Sequence, residues 1–276
     1  MKQYRMFIAD IDDTIRPTGG TAGPETVRAL REMQKRGMIV AIASGRPLWQ
    51  WLKTHYTEWG LDRQFDLIIG MNGGEIWDVR KDTVEYFHPL SQETLKEITE
   101  KMYKVHQNPF VYRDGYMLAL EKDPFMEMSA KRNKNELVIA HDISEMWAEE
   151  TGKILFRTGS AEELVPVEQY AKTLDCDRYV CFKTGKELLE IQDPRVNKGA
   201  GLRHYCEANS ISLDEVIAFG DADNDRTMLE EAGFSVCLAN GQEDIKALCD
   251  DVTEYTCADD GLGKYLFETL LKDETK

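Results

Sequence analysis

At both ends of the 276-residue chain, short apolar runs alternate with stretches whose apolar side chains recur every three or four positions. YRMFIAD (4–10) is continuous enough for a strand buried on both faces. GPETVRALREMQKRG (23–37) sets Val27, Leu30 and Met33 at helical spacing and stops on Gly37, and MIVAIAS (38–44) predicts a second strand. DLIIGMNGG (66–74) adds a third strand running into a glycine turn. The last third repeats the alternation: strand EVIAFG, helix RTMLEEAG, strand FSVCLAN, helix QEDIKALC. The two ends therefore read as halves of one α/β domain, a doubly wound parallel sheet of Rossmann-like character.

The texture changes in between. FVYRDGYMLAL (110–120) suggests two strands about an Asp114-Gly115 turn, SQETLKEITEKMYKVH (91–106) a long helix, and KILFRTG (153–159) a strand. SAEELVPVEQYAKTL (160–174) opens on a capping-box pair, Ser160 with Glu163. An inserted α+β domain is expected over 83–188, with the core formed by 1–82 and 189–276. No repeat of 20 to 50 residues and no low-complexity linker interrupts this scheme.

Composition narrows the partners. A hydrophobic fraction of 42% suits a packed interior, and a formal net charge of -16 argues against nucleic acid or an anionic membrane surface. MKQYRMFIAD lacks a long apolar leader and no apolar run approaches about 18 residues. A cytoplasmic protein is expected, as a monomer or homodimer. Cys176, Cys181, Cys206, Cys237, Cys249 and Cys257 form no CxxC pair, so reduced thiols are expected.

In an open α/β sheet, ligands bind beyond the carboxyl ends of the strands. Asp10, Asp12 and Thr14 follow the first predicted strand; Ser44, Gly45 and Arg46 follow the second. Lys198 opens a later helix in VNKGAGL, and EVIAFG delivers Asp221, Asn224 and Asp225. Taken singly, Ser44 reads as a helix cap, Lys198 as a solvated helix residue, and GDADND as a turn or a partial calcium loop. Together they suit phosphoryl transfer, which needs positioning and charge balance. Asp10 can act as carboxylate nucleophile and Asp12 as general acid and base. Asp10, Asp12, Asp221 and Asp225 are candidate oxygen ligands for Mg2+, and Ser44, Gly45, Arg46, Lys198 and Asn224 candidate phosphate contacts.

DIDDT, ASGR, NKG and GDADND, in this order, resemble the four motifs of the haloacid dehalogenase (HAD) superfamily of phosphatases. The mid-chain insertion resembles the large cap of its Cof-type, sugar phosphatase-like hydrolases, and MNGGEI resembles the family's strand-end NGA segment, which brings Asn72 and Gly73 near the site. The resemblance implies Asp10 as nucleophile, Asp12 as acid/base, Ser44 and Lys198 on phosphate, and Asp221 on magnesium. Two positions depart from the pattern, Asp13 and Ala222, where glycine is usual. The function implied is Mg2+-dependent hydrolysis of a small phosphorylated metabolite, a sugar phosphate or a phosphorylated cofactor, through an aspartyl phosphate. A phosphomutase or phosphosynthase of the same superfamily is the alternative, with a phospho-accepting signalling module or a non-enzymatic scaffold behind it. Tyr112, Arg113, Asp114 and His141 of the insertion could read the leaving group.

Overall fold

The computed structural model of the chain describes residues 4–106 and 108–272. It divides into two compact units: the described residues of Met1–Leu48, Leu52–Glu85 and Asn197–Lys276 make one, and Trp49–Trp51 with Tyr86–Val196 make the other.

In chain order, β1 (Met6–Asp10), α1 (Pro24–Lys35), β2 (Ile39–Ala43), α2 (Gln50–Glu58), β3 (Leu67–Gly70), β4 (Glu75–Asp78) and β5 (Thr83–Tyr86) come first. There follow α3 (Gln92–Met102), β6 (Pro109–Arg113), β7 (Tyr116–Ala119), α4 (Pro124–Arg132), β8 (Glu136–Ile139), β9 (Lys153–Arg157), α5 (Ala161–Lys172), β10 (Val180–Gly185) and β11 (Leu188–Gln192). The chain closes with α6 (Lys198–Ala208), β12 (Val216–Gly220), α7 (Arg226–Glu231), β13 (Phe234–Cys237), α8 (Glu243–Lys246), β14 (Asp251–Val252) and α9 (Gly261–Glu268).

The first unit is built on a sheet ordered β14-β13-β12-β1-β2-β3-β4-β5. The ladders from β14 through to β3 are parallel, and β4 runs antiparallel to β3. From β1 the chain winds outward to β3, then returns to lay β12 on the other side of β1. The strand order thus reverses between β1 and β12, the place where open α/β sheets bind ligands. Every residue of β1, β2, β3 and β12 is buried, which explains why their sequences read as unbroken apolar runs. Helix α1 buries Thr26, Ala29, Leu30 and Met33, so the expected face is rotated slightly and Val27 is half-buried. Gly37, at φ 76°, ends it as expected.

The second unit carries a sheet ordered β10-β11-β9-β6-β7-β8, antiparallel except for the β7–β8 ladder. One apolar core joins Leu95, Ile98 and Met102 of α3 and Leu164 and Val167 of α5 to Val111, Ile154, Phe156, Leu189 and Ile191 of the strands. Gly115, at φ 85°, forms the β6–β7 hairpin turn with Asp114. Ser160 Oγ accepts the Glu163 amide at 3.2 Å, but the Glu163 carboxylate reaches the Gly159 amide at 2.8 Å instead of closing the box on Ser160. The sequence expectation ended the insertion at 188. Because β11 is hydrogen-bonded between β10 and β9, the second unit instead extends to Val196.

Two local devices set stability. In the first unit, Gly23 gives α1 no side-chain cap, and Asp260 supplies one from 235 residues away: its carboxylate accepts the Glu25 and Thr26 amides at 2.6 and 3.0 Å. A Cβ on Gly23 would lie 2.3 Å from the Asp260 carboxyl carbon, so the residue before the helix must be glycine for this cap to seat. Asp260→Ala is expected to destabilise the chain by about 1–2 kcal/mol, read as a lower urea midpoint. Asp260→Asn should recover part of the loss.

In the second unit, Glu97 accepts Lys101 and Arg178 at 2.6 Å each and the Tyr179 hydroxyl at 3.0 Å. The Lys101 and Arg178 bonds hold its carboxyl down at about 2. A carboxyl depressed in the folded state stabilises fully above its unfolded pKa, and the contribution is lost as pH falls towards the folded value. The Tm deficit of Glu97→Gln relative to wild type should therefore be full at pH 7 and shrink progressively below about pH 4.5. A deficit independent of pH would contradict this.

Candidate active site

The reversal point gathers the acids. Asp10 ends β1, Asp221 follows β12, and Asp225 ends the short 3-10 turn Asp223–Asp225. A ligand oxygen from each of Asp10, Asp221 and Asp225 lies within 4.8 Å of the other two. Lys198, the first residue of α6, is fully buried; its ammonium donates to Asp10 Oδ1 and, at 2.6 Å, to Asp225 Oδ1. The other Asp225 oxygen accepts the Asp221 and Ala222 amides at 3.0 and 3.1 Å, and Thr14 Oγ1 donates to Asp221 Oδ1 at 2.8 Å.

Close backbone approach makes this possible. A Cβ on Gly220 would lie 2.6 Å from the Asp225 Cβ, and one on Gly73, at φ 109°, would lie 2.2 Å from the Asn197 carbonyl oxygen. The glycine turn after β3 therefore presses on the start of α6, where Asn197 caps the helix by accepting the Ala200 amide at 2.8 Å.

Electrostatics mark the cluster as short of positive charge. Burial raises the Asp10 carboxyl well above the usual range, with Lys198 opposing and Asp225 and Asp221 reinforcing. Burial, then the Asp225 charge, lifts Asp221 to about 7. Burial disfavours the Lys198 ammonium, but Asp10 and Asp225 more than offset it and its pKa is raised. Two buried acids and a half-buried one with one ammonium are a donor set that fits a hard divalent cation, which favours carboxylate oxygen and would lower the cost of ionising all three.

The remaining predicted residues fall in two groups. Ser44 is buried just past β2; its carbonyl accepts the Asn72 amide at 3.0 Å and its hydroxyl the Arg46 amide at 3.2 Å. A Cβ on Gly45 would come 3.0 Å from Asn72 Oδ1, so the loops after β2 and β3 meet there. Asn224 is half-buried in the turn that ends on Asp225.

Asp12 has partners of its own. Its carboxylate lies outside the group formed by Asp10, Asp221 and Asp225: Oδ1 accepts Arg16 Nη2 at 2.8 Å, and Oδ2 accepts Arg46 Nε and Nη2 at 3.1 and 2.8 Å. The side chain of this candidate oxygen ligand thus has guanidinium partners, and Arg46, expected on phosphate, lies on Asp12. The sequence reading missed Arg16, whose signal was an arginine in a segment, TIRPTGG, that buries it to 7% exposure. In the second unit, Arg113 is buried and donates to the Met146 carbonyl at 3.1 Å, whereas Asp114 and His141 are exposed.

An α/β sheet with an acidic, lysine-bridged cluster at its reversal point has the place and the charges of a site for a charged ligand. The chain belongs to the haloacid dehalogenase-like hydrolases, whose family model matches residues 7–266. It is 28% identical over 280 residues to a phosphoglycolate phosphatase of Methanopyrus kandleri, covering 98% of this chain and 97% of that one. An HMP-PP phosphatase of Serratia proteamaculans is 26% identical over 250 residues, 89% of this chain and 87% of its own. The crystal structure of a haloacid dehalogenase-like hydrolase from Bacteroides thetaiotaomicron superposes with a TM-score of 0.83 at 25% identity, covering 96% of this chain and 99% of that one. Among the described residues, no helix is long and apolar enough to cross a membrane.

Removing Lys198 isolates the effect of its charge. Lys198→Met is expected to destabilise the chain by about 3–5 kcal/mol in EDTA, the range for a broken buried ion pair. Millimolar Mg2+ should restore part of that loss in the urea midpoint. An unchanged midpoint in EDTA would show that the ammonium does not stabilise the carboxylates.

Proposed function

We propose that this hydrolase is a cytoplasmic, Mg2+-dependent phosphatase of small phosphorylated metabolites, acting through an aspartyl phosphate on Asp10. The observation that carries the reading is the gathering of Asp10, Asp221 and Asp225 where the strand order reverses, with the buried Lys198 ammonium paired to Asp10 and Asp225. The names of the phosphoglycolate and HMP-PP phosphatases support the substrate class. The net charge of -16 favours small substrates over nucleic acid.

In this scheme an Asp10 carboxylate oxygen attacks phosphorus, forming an O–P bond as the ester P–O bond breaks. Asp12 gives its proton to the departing oxygen, then takes one from the water that cleaves the aspartyl phosphate and releases inorganic phosphate. Lys198 holds the Asp10 carboxylate in place and supplies a fixed positive charge beside the transferring group. Ser44 and the amides about Gly45 furnish donors for phosphate oxygens. Mg2+, held by Asp10, Asp221 and Asp225, would neutralise phosphate charge when bound.

The test is phosphate release from a panel of sugar phosphates and phosphorylated cofactors, with Mg2+ and with EDTA. Turnover should require the metal, and Asp10→Asn should lower kcat by roughly a thousandfold or more while leaving the circular dichroism spectrum unchanged. Isomerised product without free phosphate would replace this reading with a mutase, and inertness of the wild type on the whole panel would sink it.

A further inference from the structure

The turn between β1 and α1 is more tightly tied than a surface loop needs to be. Asp13 adopts φ 67°, a conformation glycine takes freely and an L side chain rarely does. Its carboxylate is turned along the loop: Oδ1 accepts the Thr18 amide at 2.8 Å and Oδ2 the Thr18 hydroxyl at 2.6 Å. Its own amide donates to the Arg16 carbonyl at 2.6 Å. Its carbonyl accepts Asn240 Nδ2 at 2.8 Å, and Asn240 is anchored in turn because its Oδ1 accepts the Cys257 amide at 2.7 Å.

Arg16 lies inside the turn so closed. Its side chain is 9% exposed; Nη1 donates to the Gly20 carbonyl at 2.7 Å and Nη2 to Asp12 Oδ1 at 2.8 Å. Arg46 grips the other oxygen of the same carboxylate through Nε and Nη2. Burying a guanidinium is expensive unless it is paired, and backbone hydrogen bonds alone could close so short a loop. What Arg16 and Asp13 add is a fixed orientation for Asp12.

We infer that Arg16, locked in place by the Asp13–Thr18 latch, is a positioning residue that holds the Asp12 carboxylate against Arg46. The inference rests on the proposed acid and base role of Asp12, and it accounts for an acid at 13. A carboxylate clamped at both oxygens keeps one rotamer, and misplacement of a proton donor by about 1 Å can cost 10²-fold in rate.

Leaving groups separate positioning from bulk structure. Departure of an alkyl alcohol needs a proton from Asp12, whereas p-nitrophenolate leaves with little assistance. In Arg16→Met, kcat/KM for an alkyl phosphate should fall roughly tenfold or more, with a clearly smaller fall for p-nitrophenyl phosphate. Arg16→Lys, which keeps the charge but not the fork, should fall between Arg16→Met and wild type. Asp13→Gly, which fits the backbone but removes the latch, should show a milder loss in the same substrate order. Thermal melts accompany each variant; if Arg16→Met fails to fold, Arg16→Lys and Asp13→Gly carry the test. Equal losses on both esters, or none on either, would overturn the inference while an active wild type leaves the phosphatase reading standing. The alkyl phosphate is one the wild type turns over in the panel; a wild type inert on the whole panel removes both readings.

Discussion

The Lys198 ammonium, shared between Asp10 and Asp225, is the interaction on which the rest of the first unit's site depends. Two like charges at 4 Å repel by about 4 kcal/mol at an effective dielectric of 20, so these three carboxyls gather only with a cation or a proton among them. The lysine also joins pieces of chain that are remote in sequence, β1 to α6 over 188 residues and α6 to the turn after β12 over 27. The tight glycine contacts at 73 and 220 serve the same end, since a side chain at either would push α6 or the Asp225 turn away from β1. Charge, helix start and loop composition are thus one constraint met in three places.

Much of this was legible in the sequence because it is encoded locally. A strand buried on both faces shows as an unbroken apolar run, and the first polar residue after it marks the sheet edge; Asp10, Ser44 and Asp221 were found that way. Helix starts and stops at Gly37, Ser91 and Ser160 follow from backbone needs that those residues meet themselves. What stayed hidden depends on partners far along the chain. The Asp260 cap on α1 replaces a cap that Gly23 cannot supply, and no spacing rule connects positions 235 apart. The strand β11 was missed as part of the insertion because its ladder partners, not its composition, assign it.

The same distinction explains the one site residue whose surroundings were misread. Sequence could place Asp12 beside Asp10 but could not choose its partners, since Arg46 and the acids at 221 and 225 all follow a strand end and nothing singles out Arg16. The backbone decides. Beyond β1 the chain leaves its extended course, with Ile11 buried and its carbonyl accepting the amides of Ile15 and Arg16, so Asp12 no longer continues the strand's alternation. It stands half-buried between two guanidiniums while Asp10 remains in the interior with an ammonium and two acids.

That contrast is the physical basis for giving the two residues different work. Neighbouring carboxyls take distinct roles when their environments differ, and here every element of environment differs. Burial, reinforced by Asp225 and Asp221 and opposed by Lys198, disfavours the charge of Asp10, a cost that a metal ion would lower. Asp12 is partly open to water, as the proposed exchange of protons with a leaving group and a hydrolytic water requires, and its two oxygens are held by arginines. Asp13 completes the division by facing neither cluster, since its carboxylate is spent on Thr18 and its backbone on Arg16 and Asn240. Three acids in four positions are compatible with one fold because the chain turns sharply enough after β1 to give each a different set of partners.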